Sequence, residues 1–112
     1  MHIDLLINAI IPRLPFASVE EAQAFLADLP PNDQIALISA LYFGRSHIHS
    51  NTVNEDYLPY LLSGQMNRFW EQGNVAPQDF ATVLYEKGSN LLAYYDAFIR
   101  ATDGSRYDRS NY

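Results

Sequence analysis

The sequence contains no cysteine, and this absence removes a whole group of possible functions. Disulfide bonds, zinc–thiolate sites, iron–sulfur clusters and cysteine nucleophiles all need a thiol or thiolate, and none of the 112 residues supplies one. The glycine-rich patterns G-x-G-x-x-G and G-x-x-x-x-G-K-[ST] and the hydrolase pattern G-x-S-x-G are also missing. The common nucleotide-binding folds and nucleophilic enzymes are therefore disfavoured.

Positive charge is scarce as well. Seven lysines and arginines face thirteen aspartates and glutamates, which gives a net charge of −6 and a pI near 4.7. Because nucleic-acid binding relies on basic patches that neutralise phosphates, we expect no direct contact with nucleic acid. The imbalance favours a basic protein partner, although a modest negative charge is also ordinary on soluble proteins.

Long hydrophobic runs are missing too. The longest uncharged apolar run, 34–44, is about half of what a membrane-spanning helix needs. The start of the sequence has no basic region and carries Asp4 inside its apolar stretch, so no signal peptide is expected. These observations predict a cytoplasmic protein that does not contact the membrane.

Helical spacing of apolar residues recurs along the chain, whereas the alternation typical of strands does not. The length and the 48% of hydrophobic residues fit one globular domain. We predict an all-α fold, a compact bundle of about six helices that forms a single domain over 1–104, followed by a flexible C-terminal tail over 105–112. The predicted helices are 3–11, 18–29, 33–43, 52–72, 76–87 and 90–103.

Local signals place several helix ends. Ser18 and Glu21 form a capping box at the start of the second helix. The third helix, 33–43, is apolar around nearly its whole circumference and is therefore placed at the centre of the bundle, with Gly44 as a left-handed C-cap.

The fourth helix admits two alternatives. A second capping box, Thr52 to Glu55, predicts a long helix that reaches about residue 72. A start nearer Leu58 would instead put Pro59 at the first helical position, where proline is favoured.

The tyrosines suggest a protein-binding surface. There are eight of them against six phenylalanines, and tyrosine is enriched at interfaces. On a helix over 52–72, Tyr60 points away from the core stripe Leu58, Leu61, Leu62, Met66 and Phe69. Alternatively, Tyr60 packs under the neighbouring loop or lies singly on the surface. The predicted binding residues are Tyr57, Tyr60, Asn67, Trp70 and Arg45.

His47 and His49 are the one histidine pair close in sequence. Two imidazoles two residues apart can bind a metal on extended backbone, and Glu55 or Asp56 could add a carboxylate. Nothing else completes a ligand set, so we expect a solvated loop with neither a metal nor another cofactor, and a metal site at His47 and His49 is the alternative. Arg45 follows the central helix, where a guanidinium can bond free carbonyls or reach a ligand.

Two segments carry a resemblance. In residues 25–45 an acidic turn leads into an apolar helix that ends in Phe-Gly-Arg. In residues 83–95 a Gly turn precedes a Leu-rich helix. Both segments resemble an uncharacterised family of small all-helical bacterial proteins. The resemblance implies a helical fold and assigns no catalytic residue. The proline pair 30–31 and the loop at His47 depart from the family pattern.

Three functions follow as hypotheses. The preferred one is a small acidic protein-binding module, such as an adaptor, an immunity-type protein or an inhibitor. The first alternative is an enzyme, or a protein that binds a metal or small ligand, with a site near Arg45, His47 and His49. The second is a structural homo-oligomer, for example a homodimer, that buries Tyr57, Tyr60 and Trp70 between copies.

Overall fold

Apolar residues at helical spacing fold into six α-helices in the computed structural model, which describes residues 1–112 apart from the side chain of Asn111. The predicted all-α class and the number of helices are confirmed. Single 3-10 turns precede α4 and α5 and follow α1 and α6. The helices are α1 (Ile3–Ile10), α2 (Val19–Ala27), α3 (Pro31–Arg45), α4 (Leu58–Leu62), α5 (Phe80–Lys87) and α6 (Asn90–Gly104).

The third helix occupies the centre, as its apolar circumference predicts. All residues from 36 to 41 are buried. Helix α6 packs along α3, α1 packs on another part of α3, and α2 packs on α5. The Tyr95 hydroxyl donates a hydrogen bond to the Leu37 carbonyl at 3.0 Å, which ties α6 to α3 in the core. Within the described chain, no helix is both long and apolar enough to cross a membrane.

The predicted ends of α3 are wrong at both sides. The helix begins at Pro31, where proline is favoured, rather than at residue 33. It also continues through Gly44, which is helical and buried instead of forming a left-handed C-cap. Close packing against α6 explains why this helical position is a glycine, because a Cβ atom on Gly44 would lie 1.7 Å from the Tyr94 carbonyl oxygen.

The long fourth helix over 52–72 is also wrong. A 3-10 turn at Glu55–Tyr57 leads into α4, which ends at Leu62, and the Thr52–Glu55 capping box does not form. Pro59 lies in the first turn of α4, close to the position given by the alternative start. The chain then turns at Gly64, whose φ is 79°. The Asn67 side chain accepts a hydrogen bond from the Phe69 amide at 2.9 Å, a local bond that competes with helix formation.

The segment 105–112 differs from the predicted flexible tail. Tyr112 is 1% exposed, and its ring centroid lies 4.7 Å from that of Phe98 on α6. Arg109 bridges α1 and α6 through Asp4 and Asp103. These contacts pack the segment against the helices.

Candidate functional site

Helix α4 is embedded in the molecule on one side only. Leu61 is 7% exposed and anchors the helix in the core. Its neighbours Tyr60 and Leu62 are 50% and 84% exposed. A five-residue helix therefore presents two large apolar side chains to solvent.

Two acidic residues precede this helix. Glu55 and Asp56 lie exposed on the 3-10 turn, and neither carboxylate forms an ion pair with a residue that the structure describes. Between Arg45 and Arg68 the sequence has no lysine or arginine. The α4 surface, by which we mean Glu55, Asp56, Tyr60 and Leu62, is therefore apolar and negative.

The structure separates the predicted tyrosine surface into an inner and an outer part. Tyr57 and Trp70 are half-buried, and their ring centroids lie 5.7 Å apart with the rings near perpendicular. Tyr57 also packs on Phe43 and His47, at centroid distances of 6.1 and 5.0 Å. These two aromatic residues support the segment from inside, whereas Tyr60 faces solvent.

Asn67 and Arg45 do not belong to the α4 surface. The Asn67 amide donates to the Gly64 carbonyl at 3.2 Å and shapes the turn after α4, in addition to its bond with Phe69. Arg45 is exposed at the end of α3. Leu62 is the residue that the sequence missed, because a longer helix assigned it to the core stripe.

His47 is a core residue, not part of a solvated loop. It is 0% exposed, and its ring stacks on Phe43 at a centroid distance of 4.3 Å and an angle of 4°. Its Nε2 accepts a hydrogen bond from the Asn54 amide at 3.0 Å, so the ring proton is on Nδ1, which lies 2.9 Å from the Phe43 carbonyl oxygen. Burial lowers the pKa of His47, and the bond to Phe43 offsets this only in part.

The two histidines do not come together as a ligand pair. His49 is exposed, whereas both ring nitrogens of His47 already have partners in the protein. Among the described residues, no group of three or more histidines, aspartates or glutamates has the geometry to hold a metal ion. The i, i+4 spacing of Phe43 and His47 at the end of an apolar helix is a sequence signal for this packing role.

A groove of about 320 Å³ lies between α1 and α6. Apolar side chains form much of its lining, and Asp4, Asn8, Asp96 and Arg109 contribute polar groups. The sequence could not indicate it, because residues about ninety positions apart line its two walls. The apolar lining residues are Ile7, Ile11, Leu92, Tyr95 and Ile99.

Comparison with protein-family models, curated proteins and solved structures gives no match to this chain. The resemblance of 25–45 and 83–95 to a family of small bacterial proteins therefore stays a prediction.

Proposed function

We propose that this protein is a small acidic protein-binding module that docks a basic protein through its α4 surface. The observation that carries the proposal is the exposure of Leu62 and Tyr60, at 84% and 50%, beside two acids without an ion-pair partner. Single exposed apolar residues are normal on a protein surface. Here two of them flank one short helix: they lie two positions apart, about 200° around its axis, so each gives a partner a separate apolar contact.

The surface also specifies the chemistry of the partner. A partner would straddle α4 and offer one apolar contact to Leu62 and another to the Tyr60 ring, with lysines or arginines facing Glu55 and Asp56. Buried aromatic anchors commonly contribute about 2 kcal/mol or more to an interface, whereas charges at the rim mainly affect the association rate. An adaptor, an immunity-type protein and an inhibitor all work in this way.

The same geometry disfavours the two alternatives. A ligand or metal site near Arg45, His47 and His49 lacks support because the His47 ring is buried and bonded on both nitrogens. In a two-fold dimer centred on α4, the same patch of both copies would meet. Such a dimer would bring together two negative surfaces, because each copy contributes Glu55 and Asp56 without a cation to pair them.

A quantitative pull-down from native lysate tests the proposal. The bait is the wild-type chain, the double variant Tyr60→Ala/Leu62→Ser, or the double variant Glu55→Lys/Asp56→Lys. Matched controls are Tyr85→Ala, which removes a 40% exposed tyrosine from α5, and Glu20→Lys/Glu86→Lys, which reverses two exposed acids elsewhere.

We expect one basic protein in stoichiometric amount, reduced about tenfold or more by the apolar double variant and less by the charge reversal, in line with typical anchor energies. Both control baits should retain it. Equal recovery with all five baits would refute the assignment of the surface. If only the bait itself returns, and light scattering gives a multiple of 12.7 kDa that the α4 variants reduce, the homo-oligomer is the correct function.

A further inference from the structure

We propose that the groove between α1 and α6 binds a small amphiphilic cation, namely an organic ammonium ion that carries an apolar chain or ring. This site is separate from the α4 surface, and the inference does not depend on the proposed protein partner.

The groove exists because two helices share a support. Helices α1 and α6 both pack on α3, and the space between them is filled only in part. Its volume, about 320 Å³, lies at the lower end of the range of small-molecule sites. Ile7 and Ile99 form part of the lining, and the partly exposed Ile11 and Leu92 stand at the rim. The Tyr95 hydroxyl is already bonded to Leu37, so this residue adds no free polar group.

Arg109 does not make the groove an anion site, because the protein uses four of its five N–H donors and pairs it with two carboxylates. Its Nε and Nη2 donate to the two carboxylate oxygens of Asp4 at 2.9 and 3.2 Å. Its Nη1 donates to Asp103 and, at 2.9 Å, to the Thr102 hydroxyl. The side chain is only 13% exposed. Two carboxylates therefore neutralise the one guanidinium that lines the groove.

Asp96 supplies a carboxylate oxygen as acceptor, although Arg100 already balances part of its charge. Its side chain is 73% exposed, and its Oδ2 accepts a hydrogen bond from Arg100 Nη1 at 2.7 Å. Its Oδ1 has no hydrogen-bond partner among the described residues, and a carboxylate oxygen has two lone pairs to offer. Arg100 is occupied as well, since it also donates to the carbonyls of Ser50 and Ile48.

The placement of the ligand follows from these contacts. An ammonium group would donate to Asp96 Oδ1, with the exposed Asn8 amide available from the α1 wall. The hydrocarbon part would lie against Ile7 and Ile99. A carboxylate ligand with the same hydrocarbon would face Asp96, and the charge of Arg109 would already be matched by Asp4 and Asp103.

Phenylpropylamine and phenylbutyrate test the inference, because both carry a phenylpropyl group and their charges are opposite at neutral pH. Each is titrated into the isotope-labelled chain, and amide NMR shifts report both the position and the Kd. We expect the amine to shift amides of α1 and α6 in a saturable way. The acid should bind at least several-fold more weakly.

Variants separate the charge from the apolar contact. Asp96→Asn should weaken amine binding by about threefold, as for an exposed ion pair. The affinity for phenylbutyrate should not fall in this variant. Leu92→Ser should weaken both probes. Asp79→Asn, an exposed acid before α5, and the α4 double variant should change neither Kd, which keeps this test independent of the proposed partner.

Three results would overturn the inference. These are equal Kd values for the amine and the acid, an amine Kd unaffected by Asp96→Asn, and shifts that map outside α1 and α6. Thermal unfolding of each variant shows whether a lost contact reflects the site or the fold.

Discussion

Replacing Gly44 with alanine should destabilise the protein strongly, although helix propensity alone predicts the opposite. Gly44 is helical and lies in the last turn of α3, and alanine is favoured over glycine in a helix by up to about 1 kcal/mol. The added methyl group would lie 1.7 Å from the Tyr94 carbonyl oxygen and 2.6 Å from its carbon, whereas ordinary contact begins at 3.4 Å. The obstacle is backbone, so no rotamer change relieves it.

The magnitude follows from what must move. To admit the methyl group, α6 must retreat from α3 by more than 1 Å, and these two helices form the most extensive packing of the molecule. Phe43, Leu41 and Phe98 are fully buried near this crossing. Overpacking in cores typically costs about 1–3 kcal/mol, and opening a buried helix pair raises the expected net loss to about 3–5 kcal/mol. That is a large fraction of the roughly 5–15 kcal/mol that keeps a domain folded.

Urea unfolding followed by the fluorescence of Trp70, the single tryptophan, measures this loss. Gly73→Ala is the matched control. Gly73 has a φ of 94°, and a Cβ added there would have no atom within 4 Å, so alanine should cost only about 1–2 kcal/mol of backbone strain. A Gly44→Ala midpoint equal to or above that of the wild type would refute the close approach of α3 and α6. A loss no larger than that of Gly73→Ala would favour the left-handed cap predicted from the sequence.

Two further predictions concern residues whose structural role differs from the one expected. Because burial lowers the pKa of His47 below its usual value of 6.5, the unfolded chain takes up a proton at a higher pH than the folded ring does. The stability that the neutral ring contributes should therefore be complete above about pH 6.5 and fall as the pH drops below that value. Urea midpoints measured over this fall in pH should lose their pH dependence in His47→Gln, which is also less stable at neutral pH. The control His49→Gln should keep the pH dependence. An unchanged pH dependence in His47→Gln would contradict the buried neutral ring. Tyr112→Ala should cost about 3–5 kcal/mol because the ring is buried against Phe98, whereas Tyr112→Phe should cost less than about 1 kcal/mol, since the hydroxyl has no hydrogen-bond partner among the described residues. Two Tyr112 variants as stable as the wild type would indicate a tail that is free of the core.

Elements whose signals are local could be read from the sequence. The Ser18 hydroxyl accepts a hydrogen bond from the Glu21 amide at 3.1 Å, as the capping box predicts. The Glu21 carboxylate in turn accepts a hydrogen bond from the amide of Ala17, one residue before the cap. Helices α5 and α6 also lie where the sequence predicts them, after a proline and on either side of a glycine turn. In these places each local preference agrees with the packing that surrounds it.

Elements that depend on distant partners could not be read in this way. The apolar spacing from Leu58 to Phe69 fits a helix. It does not predict the turn in which the Met66 amide lies 3.1 Å from the Tyr60 carbonyl oxygen. Met66 is completely buried by this turn. The segment after residue 104 is polar in sequence, and its Arg109 contacts Asp4, about a hundred residues away. Pairing over such distances leaves no periodic trace.

The candidate site shows the same division, with a consequence for function. His47 has the residue type of a ligand, yet two hydrogen bonds and a stacked ring commit it to the core. Leu62 has the residue type of a core position, yet it is the most exposed of the large apolar side chains that the structure describes. Residue type alone would therefore place His47 at the functional site and Leu62 in the core, which is the opposite of what the structure has. A folded chain departs from local consistency chiefly where function or strain requires it. His47 makes no such departure once its partners are known, whereas the exposure of Leu62 has no structural compensation within the chain. This asymmetry is the physical reason to look for function at α4.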